Sequence, residues 1–232
     1  PPRLPELPPR PCPLRAGAVE RYEESAVAAS LSAFAAEVAL TFDRQAAASA
    51  LFGGLPRVAR LGRWAFTSQL VGELSARDVV VLDRSALQRL DRIDYVVLHE
   101  ALAREEHPGL ERLVSAARRA RRAIRVVGAT PQGVRWARGA ERLPSSRSLV
   151  EVVRELQQGG SGVLLVQRGP DDALAAADLS LALSAEGPPW GAHLIASRGW
   201  DDAALIVEAL AAARAATKQS VRLALGEAAT SL

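Results

Sequence analysis

The amino-acid sequence predicts an α/β fold, a doubly wound parallel sheet with additional helices toward the N-terminus and the C-terminus. Three short apolar runs at residues 94–98, 124–128 and 163–166 are predicted as strands, and segments with helical spacing lie between them. Apolar runs of this length are typical of parallel strands that helices cover on both faces. With 49% hydrophobic residues, a chain of 232 residues is long enough to bury such a core.

The composition bears on the class of function and on the source of the protein. The net charge is +3, Lys218 is the single lysine, and only 4% of the residues are aromatic, so no nucleic-acid-binding module is indicated. The abundance of arginine and alanine is typical of a GC-rich, actinobacterium-like genome. Cys12 has no partner for a disulfide, which fits a reducing compartment. Because the chain contains no methionine, we expect it to be a piece of a longer protein, or a processed or trimmed one.

Two segments precede the predicted sheet. Residues 1–15 are rich in proline, which favours an extended linker. Residues 16–75 have a helical pattern. Within them, Glu37 is the single charged residue of the segment 26–42, which Asp43 follows. A bilayer crossing needs about 20 apolar residues. Residues 26–42 therefore favour either a weak membrane span or a buried helical hairpin with residues 46–52.

Residues 76–199 form the predicted α/β domain, and residues 200–232 are predicted as a C-terminal helix. The central strand at residues 94–98 stops abruptly at His99 and Glu100. In α/β folds the carboxyl ends of the parallel strands form the edge at which ligands bind. This position makes His99 a candidate nucleophile or general base. A histidine at a strand end is also commonly a hydrogen-bonded turn residue, and both interpretations stay open.

The residues around this strand resemble those of a known family. Residues 87–98, LQRLDRIDYVVL, resemble the approach to the phosphorylation site of P-type cation-transporting ATPases, whose phosphorylation domain is Rossmann-like and haloacid-dehalogenase-like (HAD-like). In that family the strand ends in D-K-T-G-T, and its aspartate takes the phosphoryl group. The matching residues here are HEALA, so His99 stands in the nucleophile's place. The same resemblance makes residues 16–75 a membrane-proximal, stalk-like region.

A second match covers residues 163–183. The family has V-G-D-G-x-N-D-A-P-A-L-A there, and its first aspartate holds Mg²⁺. Arg168 replaces this aspartate, while Asp171 and Asp172 approximate the N-D pair before a shared A-L-A-A-A-D. The resemblance makes Asp171 and Asp172 cofactor-binding candidates. Their place before an alanine-rich helical run predicts instead a helix N-cap, which is the favoured interpretation.

Two further candidates come from weaker matches. Thr130 stands near the family's T-G-D, in which a hydroxyl contacts the phosphate. Arg147 stands in place of the lysine of P-x-x-K, which neutralises the phosphoryl group in the family, although a guanidinium is not a simple substitute for an ammonium. Either Ser145 or Ser146 is expected to cap the helix that follows.

These replacements predict a site without metal-dependent turnover. Mg²⁺ requires oxygen ligands, and the guanidinium of Arg168 repels it. Arg147 and Arg168 then either form an anion pocket or, more simply, pair with Asp171 and Asp172. No metal site and no cofactor are expected, although the family uses ATP and Mg²⁺. The family's large nucleotide-binding insertion after the phosphorylation strand also has no counterpart, because the next predicted strand begins at Ile124.

Three hypotheses of function follow from the sequence. The leading one is a degenerate, non-phosphorylating module, a pseudoenzyme of a cation-transporting ATPase, at the cytoplasmic face of the cell membrane. Its partner would be the rest of a larger membrane ATPase or another membrane protein. The second is an active P-type ATPase or HAD-type phosphohydrolase with an altered site. The third is a soluble domain that binds an anionic ligand.

Overall fold

The residues of the computed structural model form two compact units. One comprises Pro1–Arg15 and Thr67–Ala213, and the other comprises Ala16–Phe66 and Arg214–Leu232. The first unit contains the sheet and is called the sheet unit, and the second is called the helical unit. The residues that the structure describes are 7, 9–42, 57–99, 107–128, 140–144, 146–168, 171–183, 189–196 and 198–230.

The chain contains both helices and strands. The helices are α1 (Ala18–Thr41), α2 (Arg57–Ser75), α3 (Arg84–Leu87), α4 (Pro108–Arg119), α5 (Leu149–Gln158), α6 (Asp172–Ala176) and α7 (Trp200–Thr230), with a 3-10 turn at Leu90–Arg92. The strands are β1 (Val80–Val81), β2 (Ile93–His99), β3 (Ala123–Val127), β4 (Glu141–Leu143), β5 (Gly162–Arg168), β6 (Leu179–Leu183) and β7 (Leu194–Ala196). Described helices precede β1, β2, β3, β5 and β6.

The seven strands form one sheet in the order β1-β7-β6-β5-β2-β3-β4. All neighbouring pairs are parallel except the edge pair of β1 and β7, which is antiparallel. In β2 the consecutive residues Val96, Val97 and Leu98 are fully buried, so both faces of this strand are covered. The predicted doubly wound parallel sheet is therefore confirmed.

Apolar helix faces bury the sheet. On α4 the buried residues Leu110, Leu113, Val114 and Ala117 follow the spacing of one helical face. The core against α5 and α6 contains buried residues from both helices and from β2, β3 and β5, namely Val97, Val127, Val152, Val153, Leu165 and Leu174. The burial of these side chains stabilises the sheet unit by removing apolar surface from water.

The N-terminal segment 9–15, which was expected to be an extended linker, packs on the sheet unit instead. The Nε of Arg10 donates to Oδ1 of Asp178 at 2.8 Å, and its Nη2 donates to the carbonyl oxygen of Ser161 at 2.8 Å. The backbone N–H of Arg15 donates to the carbonyl oxygen of Gly160 at 2.9 Å, in the turn between α5 and β5. Proline content gave no sign of this anchoring, because it depends on a long-range ion pair with Asp178.

The anchoring ion pair should be important for stability. We expect Arg10→Ala to lower the free energy of unfolding of the sheet unit by about 3 kcal/mol, because it leaves the carboxylate of Asp178, which is 3% exposed, without its cation. This is the lower end of the range for a broken buried pair, since Arg10 itself is partly exposed. Urea unfolding of the full chain, followed by tryptophan fluorescence, measures the change.

Arg15→Ala is the matched control in the same segment. It removes only an exposed hydrogen bond from Nε to the carbonyl oxygen of Gly159, which water can replace, so the expected loss is below about 1 kcal/mol. Equal losses for Arg10→Ala and Arg15→Ala would show that the ion pair to Asp178 does not anchor the segment.

The helical unit contains α1 and the parts of α2 and α7 that lie in residues 57–66 and 214–230. An ion pair joins Glu23 to Arg60, and a second joins Glu20 to Arg63 with 2.8 Å between Oε1 and Nη1. None of the described helices has the length and the apolar composition that a bilayer crossing requires. Residues 46–52, the expected second arm of a hairpin, lie outside the described residues. The small core of this unit includes Val19, Ala59 and Ala224.

Gly62 of α2 permits a close approach to α7. A Cβ atom added at Gly62 would lie 1.6 Å from Oγ and 2.8 Å from Cβ of Ser220. We therefore expect Gly62→Ala to destabilise the helical unit by about 1–3 kcal/mol through overpacking. Thermal unfolding followed by circular dichroism measures the change.

Gly72 provides the control in the same helix, because a Cβ added there has no neighbour within 4 Å among the described residues. Gly72→Ala should raise stability by up to about 1 kcal/mol, since alanine is favoured over glycine within helices. Adding Ser220→Gly to Gly62→Ala should restore part of the lost stability. The packing argument is wrong if Gly62→Ala is as stable as Gly72→Ala.

Candidate functional site

Parallel strands bring the candidate residues to one edge of the sheet. In the pairing of β2 with β5, Leu98 lies opposite Val166. His99 and Arg168 follow these positions on adjacent strands, so both lie at the carboxyl edge of the sheet. His99 is partly buried, whereas Arg168 is exposed. The structure thus places a histidine and an arginine where open α/β sheets bind ligands.

Asp171 has a structural role at this edge. It is the N-cap of α6, and its Oδ1 accepts a hydrogen bond from the backbone N–H of Ala173 at 2.8 Å. This geometry confirms the N-cap prediction for the Asp171–Asp172 pair, with Asp172 exposed in the first turn. The second oxygen, Oδ2, lies 3.5 Å from Nε2 of Gln167. Both oxygens of Asp171 therefore face donors from the protein.

Gln167 is a residue that the sequence analysis did not single out. Its side chain is buried at the end of β5, and its Oε1 has no hydrogen-bond partner among the described protein atoms. Burial of an unpaired acceptor costs about 1–3 kcal/mol. An amide at the end of an otherwise apolar strand was the sequence signal that could have identified it.

Arg147 does not pair with Asp171 or Asp172 as expected. Its Nη2 binds the carboxylate of Glu155, two turns along α5. The simpler interpretation of the two arginines is therefore wrong for Arg147. The error has a physical reason, because the carboxylate of Glu155 lies on the helix that starts just after Arg147 and is reached without crossing the sheet.

The cap of α5 also differs from the expected one. Ser148, not Ser145 or Ser146, is the N-cap: its Oγ accepts from the N–H of Glu151 at 3.2 Å, and the Glu151 carboxylate accepts from the N–H of Ser148 at 3.1 Å. This reciprocal capping box starts the helix at Leu149 and so sets the position of Arg147.

Two residues that the sequence analysis named are not described by the structure. Thr130 and Glu100 both lie outside the described residues. Across the described parts of the chain, no three side chains of His, Cys, Asp or Glu lie close enough together to hold a metal ion. Among the described candidates, His99 ends β2, Arg147 precedes α5 and pairs with Glu155 of that helix, and Asp171 caps α6.

A second polar cluster lies at the opposite, amino edge of the sheet. Nδ1 of His193 accepts a hydrogen bond from the N–H of Ser180 at 3.0 Å and lies 2.7 Å from Ser180 Oγ. Nε2 of His193 lies 4.0 Å from a carboxylate oxygen of Asp83. The sequence gives no sign of this cluster, because strand pairing brings the partners of His193 to it.

Comparison with known proteins identifies the relatives of this chain. No protein-family model matches it. The "Probable cation-transporting ATPase I" of Mycobacterium tuberculosis (strain ATCC 25618 / H37Rv) is 40% identical over 93 residues, which are 40% of this chain and 6% of that protein. The protein of the same name from Mycobacterium leprae (strain TN) is 38% identical over 91 residues, 39% of this chain and 6% of that protein. About two fifths of this chain is therefore similar in sequence to part of proteins named as cation-transporting ATPases.

Solved structures agree with this relationship at the level of the fold. A zinc-transporting PIB-type ATPase in the E2.Pi state matches 89% of this chain and 57% of that chain, with a TM-score of 0.53 and 13% identity. The E2P state of such an ATPase matches 88% and 56%, with a TM-score of 0.51 and 12% identity. The predicted resemblance to a P-type ATPase is therefore confirmed. The chain spans only a small part of the cation-transporting ATPases that it matches in sequence.

The capping box of α5 gives a test of the local geometry around Arg147. Ser148→Ala should lower the free energy of unfolding by about 1 kcal/mol, because the N–H of Glu151 loses its acceptor. Ser146→Ala, at an exposed position that does not cap the helix, should change it by less than about 0.5 kcal/mol. Chemical denaturation of both variants measures the difference, and the reverse order would contradict the assignment of the cap.

Proposed function

We propose that this chain is a phosphorylation-domain-like module of a cation-transporting membrane ATPase that does not itself accept phosphate. Its role is structural or regulatory within a larger membrane protein. The observation that carries this proposal is the identity of the residue at the end of β2, where His99 stands instead of a carboxylate. The related proteins are named as cation-transporting ATPases, which supports the assignment to an ATPase.

The chemistry of the strand end supports the loss of phosphoryl transfer. An aspartyl-phosphate ATPase uses a carboxylate nucleophile, whose oxygen attacks the terminal phosphorus of the nucleotide. The imidazole of His99 differs from a carboxylate in its length and in the hydrogen that its ring nitrogen carries. The carboxylates of Asp171 and Asp172 do not take over this position, because Asp171 caps α6 and Asp172 is exposed in the first turn of that helix.

The residues present do not fit Mg²⁺. Arg168 stands where the family's metal-binding aspartate is expected, and Asp171 already accepts a hydrogen bond from α6. Exchange of a carboxylate for a guanidinium changes the local charge by two units. At about 4 Å and an effective dielectric constant of about 20, each pair of unit charges contributes on the order of 4 kcal/mol, so this exchange disfavours a divalent cation.

The connection between β2 and β3 supports the loss of nucleotide binding. Only residues 100–122 separate the two strands, and among those that are described, α4 forms a covering helix of the sheet. Family members carry their nucleotide-binding domain at this connection. We infer that the chain does not bind ATP through a domain inserted there.

The proposed setting is the cytoplasmic face of the cell membrane of an actinobacterium-like organism. It rests on the related ATPases, whose names and Mycobacterium source agree with the arginine-rich composition. The proposed partner is the remainder of a larger membrane ATPase or another membrane protein. Residues 16–75 are proposed to be its membrane-proximal part, residues 76–199 its phosphorylation-domain-like part, and residues 200–232 its terminal helix.

Two alternatives to this proposal require different residues. An active phosphohydrolase would need His99 as nucleophile or base. An anion-binding domain would need both Arg147 and Arg168, together with the hydroxyl of Thr130 in a phosphate-like site. The ion pair of Arg147 with Glu155 opposes the second alternative, because it neutralises one of the two cations.

Phosphoenzyme formation tests the proposal directly. Acetyl phosphate serves as a small donor that needs no nucleotide-binding domain, and p-nitrophenyl phosphate reports hydrolysis, both with Mg²⁺. We expect no phosphoenzyme and no turnover from the native chain. The double variant His99→Asp with Arg168→Asp restores a nucleophile and a metal ligand. We expect it to gain phosphorylation at the introduced strand-end carboxylate at least about tenfold above background, equivalent to about 1.4 kcal/mol in the barrier.

Matched variants identify the cause of any activity. Turnover by the native chain that is lost in His99→Ala but kept in His107→Ala would contradict the proposal and support an active histidine. Saturable phosphate binding without turnover, lost in Arg168→Ala, would instead support the anion-binding alternative. Failure of the double variant to gain activity would leave the native chain's inactivity as the deciding result.

A further inference from the structure

His193 joins three strands at the amino edge of the sheet. Its backbone N–H donates to Oγ of Ser180 on β6 at 3.0 Å. Its carbonyl oxygen accepts from the backbone N–H groups of Leu82 and Asp83, at 2.9 and 3.2 Å, just after β1. β7 begins at the next residue, Leu194. The edge strand β1 is therefore connected to β6 through the backbone and the side chain of this one residue.

The hydrogen bonds determine where the proton of the imidazole lies. The N–H of Ser180 can only donate, so Nδ1 of His193, 3.0 Å away, must carry a lone pair. The neutral ring then carries its hydrogen on Nε2, on the side of Asp83. The Oγ of Ser180 accepts from the His193 N–H and shares its own hydrogen between Nδ1 and the carbonyl oxygen of Gly191.

Protonation is incompatible with this arrangement. A hydrogen on Nδ1 would point at the backbone N–H of Ser180, so two donors would face each other and a bond would be lost. Ser180 is fully buried, and its N–H would have no water to replace the lost acceptor. A hydrogen on Nδ1 can donate to Oγ of Ser180, 2.7 Å away, but this does not replace the acceptor that the buried N–H of Ser180 has lost.

Burial outweighs the charged groups around His193 and favours the neutral ring. Burial is the largest influence and lowers the pKa of His193; Asp83 raises it, Arg89 lowers it and Asp178 raises it. Although burial acts to raise the pKa of Asp83, hydrogen bonds from Ser85 and the charges of His193 and Arg89 bring it below its usual value.

We propose that His193 is a pH-sensitive clasp that holds the β1 edge of the sheet to β6 while its ring is neutral and releases it when the ring is protonated. The direction of this pH dependence follows from the linkage between proton binding and folding. With a folded-state pKa below the unfolded value of about 6.5, the unfolded or opened form binds the proton more tightly. The edge is therefore fully held above about pH 6.5 and weakens as the pH falls toward the folded-state pKa.

Amide hydrogen exchange of the full chain at pH 7.5 and pH 5.5 tests this clasp. After correction for intrinsic exchange rates, we expect the protection of Leu82 and Asp83 to fall several-fold at pH 5.5, and by no more than about tenfold per pH unit, since one proton is taken up. Protection of Val96 and Leu165 in the centre of the sheet should change less. Equal protection of Leu82 and Asp83 at both pH values would overturn the proposal.

Two variants isolate the ring of His193. His193→Asn keeps an acceptor near the position of Nδ1 and cannot be protonated, so Leu82 and Asp83 should keep their protection at both pH values. His107→Asn removes an exposed histidine at a helix N-cap, where asparagine is also favoured, and should leave the native pH response unchanged. A fall in His193→Asn as large as in the native chain would contradict the clasp.

The ring itself provides a measurement that needs no variant. Nitrogen-15 chemical shifts of the native chain at pH 7.5 report which ring nitrogen carries the hydrogen. We expect the Nε2–H tautomer for His193. An Nδ1–H tautomer would overturn the proposal even if His193→Asn fails to fold.

Discussion

The buried residue Asp178 connects four parts of the sheet unit. Its Oδ1 accepts from Arg10, and its Oδ2 accepts from Nε2 of Gln157 at 3.1 Å and from the N–H of Val163 at 3.0 Å. The backbone carbonyl oxygen of Asp178 also accepts from Nη1 of Arg89 at 3.1 Å. The N-terminal segment, α5, β5 and the turn after α3 thus meet at one buried residue. A buried charge is stable only when its partners are complete, so these parts depend on one another.

The two edges of the sheet use polar residues in different ways. At the amino edge, Asp178 and Ser180 are buried and paired within the fold. At the carboxyl edge, His99 is partly buried and Arg168 is exposed. Substitution at the carboxyl edge can therefore change the chemistry of the protein at little cost in stability. The fold is therefore compatible with different sets of residues at the candidate site.

The carboxyl edge shows how structural and catalytic roles compete for the same groups. Asp171 is placed in a region that resembles a metal-binding motif, yet its Oδ1 caps α6. Arg147 matches the position of a phosphate-neutralising cation, yet Glu155 holds it in an ion pair. A motif position therefore predicts chemistry only when its side chain is not already committed to the local fold.

The sequence by itself determined the α/β class, strands β2, β3 and β5, and the cap at Asp171, because burial on both faces and helix capping leave local patterns. It also carried the resemblance to P-type ATPases. Only the tertiary structure decided the anchoring of Arg10 on Asp178, the pairing of Arg147 with Glu155, and the contact of His193 with Ser180. For Arg10 and His193 the partner is chosen by how helices and strands pack, which no local sequence pattern encodes, whereas Arg147 reaches Glu155 on the helix that follows it.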